Sequence, residues 1–166
     1  MASLQKITPC LWFAGEAKEA AEYYTQIFKN SSIGRTSYYT EEGKEEHQMP
    51  PGSVLTIEFE LDGQRFTALN GGPIFKFTEA VSFMVGCDTQ EEIDYYWDKL
   101  TPGGDPKAQQ CGWLKDKFGL SWQVYPSIMD EMMSDPDTTK VARVMKAFMP
   151  MKKLDIAKIK AAYNGE

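Results

Sequence analysis

Few side chains in this sequence are suited to chemistry. His47 is the sole histidine and lies in a polar segment with Glu41, Glu42, Glu45 and Glu46. An imidazole titrates near neutrality, so His47 can act as a general acid–base group if that segment folds over a cleft mouth. Otherwise it is a solvated loop residue. Cys10, Cys87 and Cys111 form no Cys-x-x-Cys pair and are odd in number. That pattern points to free thiols in a reducing cytoplasm. A nucleophilic Cys10 would need a cationic neighbour to hold its thiolate; none is adjacent, so we read it as a small buried hydrophobe. Asn70-Gly71-Gly72-Pro73 and Pro102-Gly103-Gly104-Asp105 are glycine-rich, but strands are expected after both. The phosphate cradle of a Rossmann-type site leads into a helix instead.

Bulk properties narrow the classes further. The 166 residues are 42% hydrophobic and 25% charged, with a net charge of −6. This suits one soluble domain or two small halves. An acidic chain lacks the basic footprint of a nucleic-acid binder. No apolar run is long enough to cross a bilayer, and no secretory leader is expected.

These residues are positioned by a repeat. Glu19-Ala20-Ala21-Glu22-Tyr23-Tyr24, running on to Phe28, is matched 72 residues later by Glu91-Glu92-Ile93-Asp94-Tyr95-Tyr96, running on to Leu100. The same offset lays Ile7–Phe13 over Glu79–Val85, two short apolar runs of strand character. The first half reads as strand Ile7–Phe13, helix 17–28, strand Ile33–Tyr39, strand Val54–Leu61 and strand Gln64–Asn70. Asp62-Gly63 marks the hairpin between the last two. The second half reads as strand Ala80–Val85, helix Thr89–Leu100 with a capping box at Thr89, and strands near Lys107–Leu114 and Leu120–Tyr125. The counterpart of the Ile33–Tyr39 strand is hard to see. From Pro126 the pattern is helical, with methionine-rich stripes that read as adaptable packing covering one face or meeting a subunit.

Two βαβββ units in tandem, entered by Gly15-Glu16-Ala17-Lys18-Glu19-Ala20-Ala21-Glu22-Tyr23-Tyr24, resemble the vicinal-oxygen-chelate (VOC) superfamily of glyoxalase I, extradiol dioxygenases and bleomycin- and fosfomycin-resistance proteins. Ile7–Phe13 and the stretch Cys111–Val124 look like the first strand and last hairpin of its PhnB-like branch, often labelled 3-demethylubiquinone-9 3-methyltransferase. The resemblance implies an α+β fold, with tandem βαβββ modules forming a curled mixed sheet and a helical C-terminal tail. Residues 1–126 would form one VOC-type domain from modules at about 5–75 and 78–126, and 127–166 a helical extension. It also implies a cleft commonly completed by a second chain, and a metal site in the enzymatic members.

In that superfamily the ligands are usually His, Glu or Gln on the first and last strand of each half. Counting four residues past the turn glycines Gly63 and Gly119 gives Thr67 and Gln123. The first-strand candidates are Thr8 or Cys10, and Ala80 or Ser82. Only Gln123 is an ordinary ligand, so we expect no metal and no cofactor. What remains is a ligand cleft of Thr8, Cys10, Trp12, Thr67, Ser82, Met84 and Gln123, with Arg65 and Ser121 placed on the opposite side of their strands. A few polar groups among aromatic and sulfur side chains suit a small organic molecule. The expectation is a cytoplasmic homodimer that binds such a molecule without metal, touching neither nucleic acid nor membrane. The alternatives are a superfamily enzyme with a non-standard metal site using Gln123, Cys10 or His47, a methyltransferase as the label says, or an interaction protein with a filled cleft.

Overall fold

The computed structural model describes residues 6–166, so residue 5, where the first module was expected to open, lies outside the described residues. The chain divides into two compact units, the first ending at Lys76 and the second running from Phe77 to Glu166. Both are α+β, each with one open mixed sheet, and the second also carries the C-terminal helices.

The first unit runs β1 (Cys10–Phe13), α1 (Ala17–Ile27), β2 (Ser32–Tyr38), a short α2 (Lys44–His47), β3 (Val54–Leu61) and β4 (Gln64–Asn70), in sheet order β1-β4-β3-β2. β1 is shorter than expected because Pro9 has no N–H to give the ladder, although its carbonyl accepts from Thr67 N at 2.9 Å. Asp62 (φ 45°) and Gly63 (φ 81°) take the two left-handed conformations of a type I′ turn, which sets the register Leu61↔Gln64.

α1 covers one face of this sheet. Ala17, Ala20 and Ala21 bring its backbone close, and Tyr24 stacks on Phe59 at 6.2 Å between centroids. No side chain of Glu16 caps the helix; instead Asn70, buried at the end of β4, accepts from Ala17 N at 2.9 Å and donates to the Val54 carbonyl at 3.1 Å. Strand alternation therefore leaves Thr56, Glu58, Glu60, Arg65, Thr67 and Leu69 on the other, open face.

The second unit begins with β5 (Ser82–Cys87) and α3 (Gln90–Leu100), then a 3₁₀ turn at Pro106–Ala108, β6 (Trp113–Lys115) and β7 (Ser121–Pro126), in sheet order β5-β7-β6. Thr89 Oγ accepts from Glu92 N at 3.2 Å, while Glu92 reaches back to Asp88 N at 2.8 Å, so the expected capping box forms with its return bond one residue early.

The repeat is real, but its offset is not a uniform 72. The buried positions Ala20, Tyr24 and Ile27 correspond to Ile93, Trp97 and Leu100, an offset of 73. In the strands, Cys10↔Thr67 corresponds to Met84↔Gln123, so the first strands are offset by 74. The difference is one residue lost from the strand–helix turn, which is Ala14-Gly15-Glu16 in one unit and Asp88-Thr89 in the other. The matching Tyr-Tyr pairs are thus out of structural register.

No counterpart of β2 forms among the described residues of the second unit. Thr101–Gln110 runs beside β6 instead, so close that a Cβ on Gly104 would lie 1.9 Å from the Lys115 carbonyl oxygen. The expected strand at 107–114 shrinks to β6 because Pro106 and the Asp105 cap on Lys107 N (2.9 Å) start a helical turn there.

The tail forms α4 (Met129–Met133), α5 (Thr138–Phe148) and α6 (Ile156–Asn164) around a core of Met129, Met132, Val144, Leu154 and Ile159. Its linking segment is tied down at several points. Cys111 N and Gly112 N donate to the Met151 and Lys152 carbonyls at 2.7 and 2.8 Å. Gln90 on α3 donates to Leu154 O at 3.1 Å and accepts from Ile156 N at 2.9 Å, and Lys153 pairs with Asp94 at 2.9 Å. Buried Asp116 organises the β6–β7 turn, accepting from Phe118 N, Leu120 N and Trp122 Nε1 at 2.9, 3.1 and 2.8 Å.

Candidate functional site

On the first unit, parallel pairing of β1 with β4 sets Cys10 beside Thr67. Thr8 and Thr67 line a concavity of about 500 Å³ with Arg35, Glu58, Glu60 and Arg65. A register shift in β2 between Ile33 and Thr36 turns Arg35 onto this face. There its guanidinium makes a two-pronged contact with Glu58 at 2.9 and 3.1 Å. Arg65 Nε lies 3.9 Å from Glu60. These pairs are solvent-exposed and add little stability, but they offer both signs of charge within one small hollow.

Trp12 is engaged elsewhere. Its indole N–H donates to the Gly72 carbonyl at 2.8 Å and its ring meets Phe75 edge-on at 5.0 Å. Gly71 is required there, since a Cβ would lie 2.2 Å from the indole. Cys10 is exposed as a residue, not the buried hydrophobe expected; burial of its thiol nonetheless raises the pKa, away from a reactive thiolate. His47 also differs from the acid–base reading. Its Nδ1 accepts from Met49 N at 3.0 Å, its Nε2 faces the Glu42 carbonyl at 3.3 Å, and its ring packs on Tyr39 at 4.5 Å. With both nitrogens used by its own loop, His47 holds that loop's shape.

On the second unit, Gln123 Nε2 donates to Ser82 Oγ at 2.8 Å. Met84 pairs in register with Gln123 and is 57% exposed. The expectation that Arg65 and Ser121 face away from Thr67 and Gln123 is corrected. Residues two apart on a strand share a face, and Arg65 lines the same hollow as Thr67. Sequence reading missed Arg35, Glu58 and Glu60, although polar residues at every second position of Val54–Leu61 marked an open face.

The ligand positions implied by the resemblance can be tested by their chemistry. The strand register sets Cys10 beside Thr67, and beside Gln123 it sets Met84 in place of the expected Ala80 or Ser82. A protonated thiol, a hydroxyl, a thioether and an amide already bonded to Ser82 do not make a divalent-cation site. Among the described residues no group of three or more His, Cys, Asp or Glu could hold an ion, and no helix is long and apolar enough to cross a membrane.

Two βα-and-hairpin units with strand orders β1-β4-β3-β2 and β5-β7-β6 define an α+β protein of repeated design. The chain belongs to the PhnB-like family described as 3-demethylubiquinone-9 3-methyltransferase, whose family model matches residues 5–125. A putative 3-demethylubiquinone-9 3-methyltransferase, a PhnB protein from Bacillus cereus, is 39% identical over 74% of this chain and 99% of its own, with a TM-score of 0.62. Protein PA1353 from Pseudomonas aeruginosa shares the fold at 18% identity, over 74% of this chain and 97% of its own, with a TM-score of 0.55. The fosfomycin resistance protein FosX from Listeria monocytogenes aligns over 81% of this chain and 100% of its own, at 16% identity and a TM-score of 0.49. No curated protein matches the chain.

Proposed function

We propose that this protein binds a small polar organic molecule on the open sheet face of its first unit, without a metal ion. The observation that carries this reading is the hollow of about 500 Å³ in which Thr8 and Thr67 meet Arg35, Glu58, Glu60 and Arg65. A volume of that order suits a metabolite, and paired charges plus hydroxyls orient polar groups without an ion. The remaining members of the expected cleft contribute less directly: Cys10 borders Thr67, and Trp12 is held by Gly71 and Gly72.

The test is a thermal-shift screen of metabolites on chelator-treated protein, followed by titration of hits against Thr67→Leu and Arg65→Ala. A hit that stabilises the wild type and loses affinity in both variants supports the reading. Hits that bind both variants as tightly as the wild type overturn it. The family description offers methyl transfer as a second reading, and stabilisation by S-adenosylmethionine alone would favour it.

The reading includes a second copy of the chain and a cytoplasmic location. Ile74 and Phe75 are 75% and 62% exposed beside Trp12, an apolar patch that self-association would cover. The thiols of Cys10, Cys87 and Cys111 are free, which fits a reducing compartment. Sedimentation of a monomer at micromolar concentration would refute the dimer.

A further inference from the structure

The second unit carries a polar constellation of its own, and it contains an unexplained atom. Ser121 Oγ is buried, the residue being 1% exposed, and has no hydrogen-bond partner among the described residues. A buried hydroxyl without a partner costs free energy that a well-packed alanine would not. Its neighbours on the same sheet face are polar. Ser121 stands opposite Ser82 on β5 and opposite Lys115 on β6, and Gln123, two residues on, holds Ser82 Oγ at 2.8 Å.

Lys115 does not point away from this group. β7 lies between β6 and β5, yet Lys115 Nζ reaches Glu79, in the segment leading into β5, at 2.5 Å. The ion pair therefore crosses the central strand at the level of Ser121. Lys115 is well covered, with 21% of its side chain exposed, whereas Glu79 is 61% exposed. The Lys115 ammonium also holds the Glu79 carboxyl below the usual carboxylate range.

We infer that this face is a subsite for a small carboxylate, in which the Glu79 carboxylate is a built-in occupant. Lys115 supplies the positive charge, Ser121 an uncommitted hydroxyl donor, and the Gln123–Ser82 pair a fixed polar wall. An incoming carboxylate takes over Lys115 and gives Ser121 its missing partner, while Glu79 swings into water. The exchange forms and breaks only ionic contacts and hydrogen bonds, and it keeps the charge of the site constant. Exposed Met84, two residues from Ser82 and in register with Gln123, gives the apolar remainder of such a ligand a surface. This inference concerns the second unit alone and survives failure of the first unit's hollow as a site.

The experiment is an NMR titration of the full chain with sodium acetate, against sodium chloride at equal ionic strength, following the amides of Lys115, Ser121 and Gln123. Glu79→Gln removes the competing carboxylate and is expected to tighten acetate binding about threefold, the scale of a lost exposed ion pair. Adding Ser121→Ala to that variant is expected to weaken binding about tenfold, the scale of one hydrogen bond to a charged group. Ser121→Ala alone should raise the melting temperature, since it deletes an orphaned hydroxyl, so its effect on binding cannot be ascribed to misfolding. Unchanged acetate affinity in Glu79→Gln, or equal affinity with and without the Ser121 hydroxyl, would overturn the inference.

Discussion

Gln123 donates its side-chain amide to Ser82 Oγ over 2.8 Å, from the central strand of the second sheet to its parallel neighbour. The bond fixes which way the amide points. One of its two N–H donors is committed to the sheet, so Gln123 keeps its second N–H and its carbonyl oxygen for a ligand.

Gln123→Ala should therefore leave the fold intact. It removes one partly buried hydrogen bond, worth about 1 kcal/mol, which urea denaturation would read as a small drop in midpoint. Binding of any ligand on this face should weaken. A ligand found there with unchanged affinity for the variant would remove Gln123 from the site, and a variant that does not fold would make it a structural amide.

Asp116 should behave in the opposite way. Its carboxylate is buried and accepts from two backbone N–H groups and the Trp122 indole. Asp116→Ala leaves those donors unpaired and should cost about 3 kcal/mol or more. A loss below about 1 kcal/mol would show that water replaces the carboxylate.

Much of this architecture was legible in the residues, and the misses have physical causes. Asp62-Gly63 and Thr89 worked because turn and cap chemistry is local. The Tyr-Tyr match misled because identity of residues outweighed burial: Trp97 occupies the position of Tyr24, and a one-residue change in the strand–helix turn shifts everything before it. Asn70 capping α1, and Gln90 bridging to Leu154 and Ile156, were invisible because each joins residues more than fifty positions apart. The open faces were predictable in principle from the alternation along β3, but Arg35 reaches its place through a bulge that no local pattern announces.

Gly71→Ala should displace Trp12. A Cβ there would sit 2.2 Å from the indole, which is also bonded to the Gly72 carbonyl. The expected result is a red-shifted tryptophan emission and a loss of about 2 kcal/mol from strain and the broken bond. Trp12→Phe in the same background should remove the emission change. Emission unaltered by Gly71→Ala would mean that the loop moves in place of the ring.

The segment joining α5 to α6 should loosen in acid. Asp94 is held below the usual carboxylate range by its hydrogen bond to Lys153, and Asp155 by the Lys158 backbone N–H. A depressed folded-state pKa gives stability that is present above the unfolded value, near 4, and is lost as pH falls through the folded value. These groups are largely solvated, so the effect is small. Hydrogen exchange at Ile156 and Lys158 should speed up as pH falls below about 4, after correction for intrinsic rates. Lys153→Met should flatten that dependence at Ile156, and an identical profile in the variant would show that the Lys153 pair contributes nothing.

Cys87 should be nearly inert in the native protein. Burial pushes its thiol up to about 12, with the Glu92 and Asp88 carboxylates adding to the shift. At pH 8 only roughly one molecule in ten thousand then carries the reactive thiolate, before access is considered. Iodoacetamide with peptide mapping should leave Cys87 unlabelled in native protein and label it readily in urea, where its pKa returns to about 8.5. The native rate should be at least about a hundredfold below the denatured one. If Cys87 instead reacts at comparable rates in both states, the end of β5 opens faster than the reagent attacks. The contact between β5 and α3 would then have to be a low-stability part of the second unit.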